Sequence, residues 1–194
     1  MKITELVLAT ANEHKAREIK QVLMGINILP RPSELGEIDE IGDSLEENAL
    51  LKADAVKDYT KKAALADDTG LEIDALGGKP GVHSARFAHC LASDAENVAH
   101  VLKLMENQSN RQAKFVTVIA LSIPDGDHII AKGEVRGEIA FEETGSNGFG
   151  YDSIFIPIEG DGRTFGEMSS DEKNSISHRG RALRAFFDQL KDFD

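Results

Sequence analysis

The sequence has few residues that could crosslink the chain covalently and no long apolar segment that could anchor it in a membrane. It has one cysteine, Cys90, among 194 residues, so no disulfide can form within the chain. A single cysteine is typical of a reducing compartment, and we expect the protein to be cytoplasmic. No window approaches 18 consecutive apolar residues, and Glu5 interrupts the apolar run near the start, so we expect neither a membrane span nor a secretory signal.

Positive charge is also scarce. The chain has 22 Lys and Arg against 34 Asp and Glu, a formal net charge of −12 at pH 7. A protein this acidic lacks the broad basic surface that binds nucleic acid or an anionic membrane. We therefore expect neither as a partner. A small anion can still bind where a few cations converge, or where a metal ion bridges carboxylates to a phosphate.

The order of the expected elements predicts a mixed α/β sheet flanked by helices. No repeat or linker interrupts the chain, and its length favours a single domain over residues 1–194. Patterning places strands at 3–9, 27–29, 63–66, 71–76, 114–123, 128–140 and 153–156, and helices at 13–24, 44–62, 93–105 and 177–190. Strands and helices alternate around a central hairpin, which favours a mixed sheet over a purely parallel one.

Two adjacent aspartates end the apolar run in "ALADDTGLEI". Burying a carboxylate is costly unless it is paired or bound to a metal, so Asp67 and Asp68 need partners. Neighbouring side chains of a strand point to opposite sides, and we therefore expect the two residues to have different tasks. Gly70 is expected to let the chain turn just after them.

The segment "TANEHK", Thr10 to Lys15, stands where a strand ends and a helix begins. Backbone N–H groups and the helix dipole favour an anion at such a position, so the segment is a candidate phosphate cradle. It lacks the P-loop pattern. The alternative is a helix capped by Asn or Thr, followed by a surface lysine.

Carboxylates are the only candidate metal ligands. The acidic set comprises Glu40, Asp43, Glu46 and Glu47, together with Asp67 and Asp68. Mg²⁺ takes one or two such groups together with substrate phosphates. For Glu46 and Glu47, a place in the first turn of a helix is favoured over metal binding. The histidines are scattered and the cysteine is alone, so zinc is not expected.

Three further motifs contribute either hydrogen-bond donors or an aromatic ring. Lys52 in "ENALLKA" either meets an anion or is a solvated helix lysine. Phe149 in "NGFGYD" either stacks on a nucleobase, worth about 1–3 kcal/mol, or anchors the loop in the core. In "EKNSISHRG", Lys173 and His178 are about 140° apart on a helix, so a helix begins between them or they serve different parts of a ligand. His178 alone is also compatible with a satisfied core histidine.

Taken together, these motifs resemble those of the dITP/XTP pyrophosphatase family, which includes inosine triphosphatases. The resemblance runs through "LATANEHK", "ENALLKA", "ADDTGLEIDALGGKPGVHSAR", "GFGYDSIF" and "EKNSISHRGRAL". It implies Mg²⁺-dependent hydrolysis of nonstandard purine nucleoside triphosphates (ITP, dITP, XTP) to the monophosphate and pyrophosphate. It also implies a mixed α/β fold with a long central sheet, two lobes with a cleft between them, and a homodimer.

The resemblance also implies roles for particular residues. Asp68 is the implied proton acceptor and metal ligand, Glu40 the second acidic metal position, and Thr69 a substrate contact. The implied triphosphate contacts are Thr10, Ala11, Asn12, Glu13, His14, Lys15, Lys52 and Lys173, and those around the nucleoside are Phe149, Gly150, Tyr151, Asp152, His178 and Arg179. Ala11 departs from the glycine that many members have.

Two other functions are compatible with parts of the sequence. One is a Maf-like pyrophosphatase acting on modified pyrimidine or guanine nucleotides, although such enzymes lack this pairing of Phe-Gly-Tyr-Asp with Ser-His-Arg. The other is a non-catalytic nucleotide-binding or sensor module, in which Asp67 and Asp68 would be structural.

Overall fold

The computed structural model describes residues 3–192, which form seven β-strands and five α-helices. In chain order they are β1 Glu5–Leu8, α1 Glu13–Val22, β2 Asn27–Leu29, α2 Leu45–Thr60, β3 Ala64–Ile73, β4 Lys79–Gly81, α3 Asp94–Leu104, β5 Gln112–Ser122, β6 His128–Ile139, β7 Phe155–Pro157, α4 Ser170–Ile176 and α5 His178–Asp192. None of the described helices is long and apolar enough to cross a membrane.

The strands form one mixed sheet in the order β2-β1-β3-β5-β6-β7, with β4 paired to β3 beside this path. Strand β1 lies parallel to β2 and to β3, whereas β4 is antiparallel to β3 and β7 is antiparallel to β6. Strands β5 and β6, which the sequence predicts as a hairpin, are neighbours in the sheet. The predicted mixed α/β fold is confirmed.

Strand β3 is longer than the sequence predicts. Instead of two strands at 63–66 and 71–76, one continuous strand covers Ala64–Ile73, with Asp67 and Asp68 in its interior. The predicted turn at Gly70 is also wrong. A Cβ atom on Gly70 would lie 2.6 Å from the carbonyl oxygen of Gly81, so this glycine lets β4 approach β3 closely.

The other predicted elements agree with the structure to within two residues at each end. Helix α4 was not predicted, because its sequence "SDEKNSI" has too few apolar residues to show a helical period. Its start nevertheless carries a capping-box signal: Ser169 Oγ accepts the N–H of Glu172, and the Glu172 carboxylate accepts the N–H of Ser169.

The chain divides into two compact units. Within the described residues, the first unit comprises 3–68, 117–133 and 179–192, and the second comprises 69–116 and 134–178. The first unit has one apolar cluster beneath α1 and α5 and another beneath α2; the second has an aromatic cluster around β5, β7 and α3. Members of these clusters include Leu6, Ile19, Leu183 and Phe186; Val7, Ala49, Ala53 and Val56; and Phe115, Phe155, Phe165 and Met105. A single catalytic domain over 1–194 stays a prediction.

Candidate active site

Asp67 is buried on β3 between two cations of the first unit. Its Oδ2 atom lies 3.1 Å from Lys15 Nζ on α1, and 3.1 Å and 3.2 Å from Arg179 Nη2 and Nε on α5. The Arg179 side chain is only 1% exposed, and its Nη1 donates to a carboxylate oxygen of Glu18, also on α1. Two carboxylates and two cations therefore neutralise one another inside this unit.

The charges in this network depend on one another. Burial alone would raise the pKa of Asp67, but the attraction of Lys15 and then Arg179 outweighs it and holds this pKa well below its usual range. Burial lowers the pKa of Lys15, and Asp67 offsets only part of that effect. Burial also lowers the pKa of Arg179, but here Asp67 and Glu18 prevail and raise it. Asp67 is therefore a permanent anion at neutral pH.

Asp68 meets a different cation. Lys52 Nζ, on α2, lies 2.6 Å from Asp68 Oδ1 and 2.9 Å from Glu40 Oε1. The two neighbouring aspartates thus have separate partners, as strand alternation predicts. Of the acidic residues before α2 and in its first turn, Glu40 is the one held at Asp68 in this way, whereas Asp43, Glu46 and Glu47 are exposed.

The environments of Asp68 and Lys52 shift both pKa values upward. Burial raises the pKa of Asp68; Lys52 and Lys15 oppose this effect, Glu40 adds to it, and the pKa stays above the usual value. Burial lowers the pKa of Lys52, but Asp68, Asp67 and Glu40 together outweigh it. The two directions are compatible because Lys52 interacts with three carboxylates, while Asp68 shares one ammonium group with Glu40. A carboxylate with a raised pKa is a better proton acceptor.

The start of α1 is capped by the predicted phosphate segment itself. Asn12 Oδ1 accepts the N–H groups of His14 at 2.9 Å and Lys15 at 3.1 Å, and Thr10 Oγ1 accepts the N–H of Asn12 at 3.1 Å. Ala11, Asn12, Glu13 and His14 are exposed. Lys15 is not the surface lysine of the alternative interpretation, since its side chain is 17% exposed and turned to Asp67.

The carboxylates suit a metal ion that is shared with a ligand. Among residues 3–192, no group of three or more His, Cys, Asp and Glu side chains could hold a metal ion. Asp68 and Glu40 nevertheless offer two carboxylates that converge on Lys52. Mg²⁺ usually takes one or two carboxylates and completes its shell with water and substrate phosphates, so this donor set fits Mg²⁺ with a bound phosphate.

In the second unit, Asp152 organises the glycine-rich loop and Lys173. Lys173 Nζ lies 2.6 Å from Asp152 Oδ2, and both side chains are buried. The same Oδ2 accepts the N–H of Phe149 at 2.9 Å, and Lys173 Nζ lies 4.9 Å from the centroid of the Phe149 ring. Lys173 thus joins the residues predicted to surround the nucleoside, with a cation–π contact to Phe149.

The glycines of this loop serve the same arrangement. Gly148 has φ +78°, and a Cβ atom there would lie 2.1 Å from Asp152 Oδ2, so only glycine fits. The N–H of Gly150 donates to Asp94 Oδ2 at 2.7 Å. Asp94, the first residue of α3, was missed in the sequence. Its position directly after Ser93, the N-cap residue of α3, marks it as a first-turn acid, but nothing in the sequence indicates its contact with Gly150.

Two more predicted site residues pack inside the second unit. Tyr151 is buried, and its hydroxyl donates to the carbonyl oxygen of Ser84 at 2.7 Å. The buried His178 ring stacks on Phe115, with centroids 4.4 Å apart. His178 begins α5 after the extended C-cap residue Ser177, so a helix does begin between Lys173 and His178, the first of the two alternatives.

The predicted site residues therefore form two groups. Those of the first unit are Thr10 to Lys15, Glu40, Lys52, Asp68 and Arg179, and those of the second are Thr69, Phe149 to Asp152, Lys173 and His178. The sequence missed Glu18 and Asp94, and left the role of Asp67 open. The assignment of particular residues to phosphate, base or metal stays a prediction.

Comparison with known proteins supports the resemblance seen in the motifs. The model of the Ham1 family matches residues 6–189. The chain is 46% identical to a dITP/XTP pyrophosphatase of Aquifex aeolicus, with 97% of each chain covered, and 44% identical to one of Deinococcus deserti, with 99% of this chain and 92% of that protein covered.

Solved structures of Ham1 proteins have the same fold as this chain. The Ham1 protein of Staphylococcus aureus superposes with a TM-score of 0.87 at 38% identity, covering 98% of this chain and 100% of that one. A Ham1 protein of Coxiella burnetii gives a TM-score of 0.88 at 42% identity, covering 99% and 100%. The resemblance to dITP/XTP pyrophosphatases is confirmed.

We expect Asp67→Asn to destabilise the protein strongly at neutral pH. The substitution keeps the shape of the side chain but removes the negative charge that compensates Lys15 and Arg179. Breaking such a pair lowers the free energy of unfolding by about 3–5 kcal/mol. Urea denaturation measures the free energy of unfolding. Asp125→Asn, on an exposed turn, is the control and should change it by less than about 0.5 kcal/mol.

We also expect the destabilisation caused by Asp67→Asn to depend on pH. Because the pKa of Asp67 is lowered in the folded protein, its stabilisation is present above the usual aspartate pKa of about 3.9. That stabilisation is lost as the pH falls from there toward the folded value. The difference between wild type and Asp67→Asn should therefore shrink below about pH 4; a constant difference down to pH 3 would contradict the network.

Asp94→Ala should loosen the glycine-rich loop at Gly150. Removing a charged acceptor worth about 1.5 kcal/mol or more should speed hydrogen exchange of the Gly150 amide at least tenfold, as measured by NMR. Asp94→Asn keeps an acceptor oxygen and should show a smaller change. Asp171→Ala, an exposed acid in the first turn of α4, is the control. Equal exchange in wild type and Asp94→Ala would refute the contact.

Proposed function

The chain belongs to the Ham1 family, and we propose that it is a nucleoside-triphosphate pyrophosphatase acting on nonstandard purine nucleotides. It hydrolyses ITP, dITP and XTP to the monophosphate and pyrophosphate, and so removes these bases before they enter DNA or RNA. The observation that carries the proposal is the group formed by Asp68, Lys52 and Glu40, where a carboxylate with a raised pKa adjoins a partly buried cation.

Asp68 is the proton acceptor in the proposed reaction. A water oxygen forms a bond to the α-phosphorus while the bond from that phosphorus to its bridging oxygen breaks. The water proton passes to the Asp68 carboxylate, and the bridging oxygen leaves with pyrophosphate. The raised pKa of Asp68 supports this role, because an ordinary carboxylate is a weak base at neutral pH.

The cations of the first unit bind the phosphates. Lys52 and Lys15 each pair with an aspartate of β3, and this pairing orients their ammonium groups before any ligand arrives. Residues 10–14 add the capped start of α1, where the helix dipole favours an anion. Phosphoryl transfer depends mostly on such positioning and charge stabilisation. Lys173 keeps its predicted phosphate role, although its present contacts are Asp152 and Phe149.

Mg²⁺ is the proposed cofactor. Asp68 and Glu40 would hold it together with phosphate oxygens, and the ion would supply charge neutralisation and a more acidic bound water. Lys52 holds both carboxylates at one point and limits their mutual repulsion until a metal binds. Asp67 remains with Lys15 and Arg179, so it takes no direct part in the metal shell.

The loop around Phe149 takes the nucleoside. Phe149 is partly exposed and lies against Lys173, and we propose that the base stacks on its ring. Gly150, Tyr151 and Asp152 fix the loop through Asp94, Ser84 and Phe149. His178 and Arg179 keep their predicted nucleoside roles. In addition, Arg179 is a positioning residue for Asp67.

The remaining parts of the proposal concern assembly and place. We expect a homodimer, as the resemblance implies, and a cytoplasmic enzyme, since its substrates belong to the nucleotide pool. Exposed apolar side chains of the second unit, Leu91, Phe141 and Ile158, are compatible with a partner surface.

Pyrophosphate release tests the proposed activity directly. The purified protein is given ITP, dITP, XTP, GTP and ATP, each with and without Mg²⁺. We expect Mg²⁺-dependent release with kcat/KM for ITP at least a hundredfold above that for ATP, because a site built to pair a 6-keto group is left unpaired by a 6-amino group. Release from modified pyrimidine nucleotides alone would favour the Maf-like alternative, and binding without release would favour the sensor.

Asp67→Asn and Asp68→Asn should separate support from chemistry. Loss of a general base costs about 10²–10⁴ in rate, so Asp68→Asn should lower kcat at least a hundredfold. It should not lower the free energy of unfolding as Asp67→Asn does, because burial of the charged Asp68 is itself unfavourable. Under conditions where Asp67→Asn is folded, its loss of kcat should be at least tenfold smaller than the loss in Asp68→Asn. An equal loss in both variants would defeat the division of labour.

A further inference from the structure

Arg163 lies in the connecting segment, residues 158–169, which joins β7 to α4 in the second unit. Its Nη2 atom lies 2.9 Å from Asp161 Oδ2 and 2.8 Å from Glu172 Oε1. Its Nη1 atom donates to the carbonyl oxygen of Glu167 at 3.4 Å. One guanidinium group therefore bridges the connecting segment and the first turn of α4.

Helix α4 needs such support because it is short. It has seven residues, and a helix of that length is marginal in water without contacts from the rest of the protein. Its start is fixed through Glu172, whose Oε2 accepts the N–H of Ser169 at 2.7 Å while Oε1 accepts from Arg163. The two oxygens of one carboxylate thus join the helix cap to the connecting segment. A planar guanidinium suits this bridge, because its N–H groups form a rigid fork.

Lys173 follows Glu172 directly, so its placement depends on the same cap. Its N–H donates to the carbonyl oxygen of Ser169 at 3.0 Å. Its buried side chain brings Nζ to 2.6 Å from Asp152 Oδ2, and that oxygen also accepts the N–H of Phe149 at 2.9 Å. A displacement of the start of α4 would therefore move the Lys173 ammonium group relative to Asp152 and Phe149.

The connecting segment also holds the glycine-rich loop. Thr164 Oγ1 donates to the carbonyl oxygen of Thr144 at 2.7 Å. The N–H of Asn147 donates to the carbonyl oxygen of Gly166 at 2.8 Å. The same segment therefore contacts the loop directly and, through Arg163, the start of α4.

We propose that Arg163 is a positioning residue, which fixes the start of α4 so that Lys173 meets the substrate in the right place. This role rests on the proposed function, in which Lys173 binds the triphosphate. Arg163 acts on substrate binding through Lys173, whereas the proton transfer belongs to Asp68. The expected signature is therefore a change in KM with little change in kcat.

Steady-state kinetics of pyrophosphate release from ITP test this role. Arg163→Met removes the bridge but keeps an apolar stem, and we expect it to raise KM about threefold, with kcat within about twofold of wild type. A merely structural role would instead lower the folded fraction, which reduces kcat per total protein and leaves KM unchanged. An unchanged KM would overturn the proposal.

Arg136→Met is the matched control. Arg136 also pairs with an acidic residue at the surface of the second unit, since its Nε lies 3.8 Å from Glu134 Oε1 on β6. The control removes the same charge and should leave KM unchanged; an equal rise in KM would mean that net charge alone matters. Arg163→Lys keeps the charge but lacks the fork, so it should restore only part of the wild-type KM. Full restoration would contradict the bridge.

A double-variant cycle decides whether Arg163 acts through Lys173. Lys173→Met should raise KM more than Arg163→Met does, because it removes the cation itself. On the Lys173→Met background, Arg163→Met should have no further effect on KM, since residues that act as one unit are not additive. Additive effects would refute the route through Lys173.

Glu172→Gln tests the helix cap as the link. The glutamine keeps an oxygen that can accept the N–H of Ser169, but it loses the charge that faces Arg163. It should raise KM as Arg163→Met does, and an unchanged KM would contradict the link.

A measurement without substrate separates this role of Arg163 from the proposed activity. The N–H of Phe149 shares Asp152 Oδ2 with Lys173 Nζ, so hydrogen exchange of this amide, followed by NMR, reports the placement of Lys173. We expect exchange about threefold faster in Arg163→Met and unchanged in Arg136→Met. Exchange at the wild-type rate in Arg163→Met would overturn the role. If the wild type releases no pyrophosphate, the proposed function fails, and the exchange rates still decide whether Arg163 positions Lys173.

Discussion

The pairing of Asp67 with Lys15 and Arg179 is the interaction on which the first unit depends. It connects the middle of β3 to α1 and to the start of α5, and Glu18 completes the charge balance. An uncompensated carboxylate at this depth would be costly, so each member of the network is needed by the others. The network also separates the two aspartates, because Lys15 and Arg179 occupy Asp67 and leave Asp68 to Lys52.

Much of the fold could be predicted because most strands and helices of this chain carry clear periodic patterns. The sequence misled at β3, where four consecutive residues with polar or absent side chains, 67–70, were interpreted as the end of a strand. Their partners come from α1, α2, α5 and β4, and no local pattern reveals them. Helix α4 was missed because its short sequence has too few apolar residues to show a helical period; its buried residue is Lys173, whose partner Asp152 lies 21 positions earlier in the chain.

The sequence predicted most residues of the site, but it predicted few of the contacts between them. The motifs indicated Lys52, Asp68, Phe149 and Asp152, and the structure shows what holds each of them. The acidic residues before α2 could not be ranked from sequence, and the contact with Lys52 distinguishes Glu40. Glu18 and Asp94 were not predicted as site residues. Acidic residues are common near the start of a helix, and the sequence does not reveal the partners of these two.

The charges of β3 also bear on strand pairing. Ala64, Leu65 and Ala66 are buried on both faces of the sheet, so apolar patterning alone does not distinguish the observed register from one shifted by a residue. A shift by one residue would exchange the faces of Asp67 and Asp68 and separate each carboxylate from its cation. The ion pairs thus select one alignment of β3 beside β1, and a site proposed for chemistry also acts as a specificity determinant in folding.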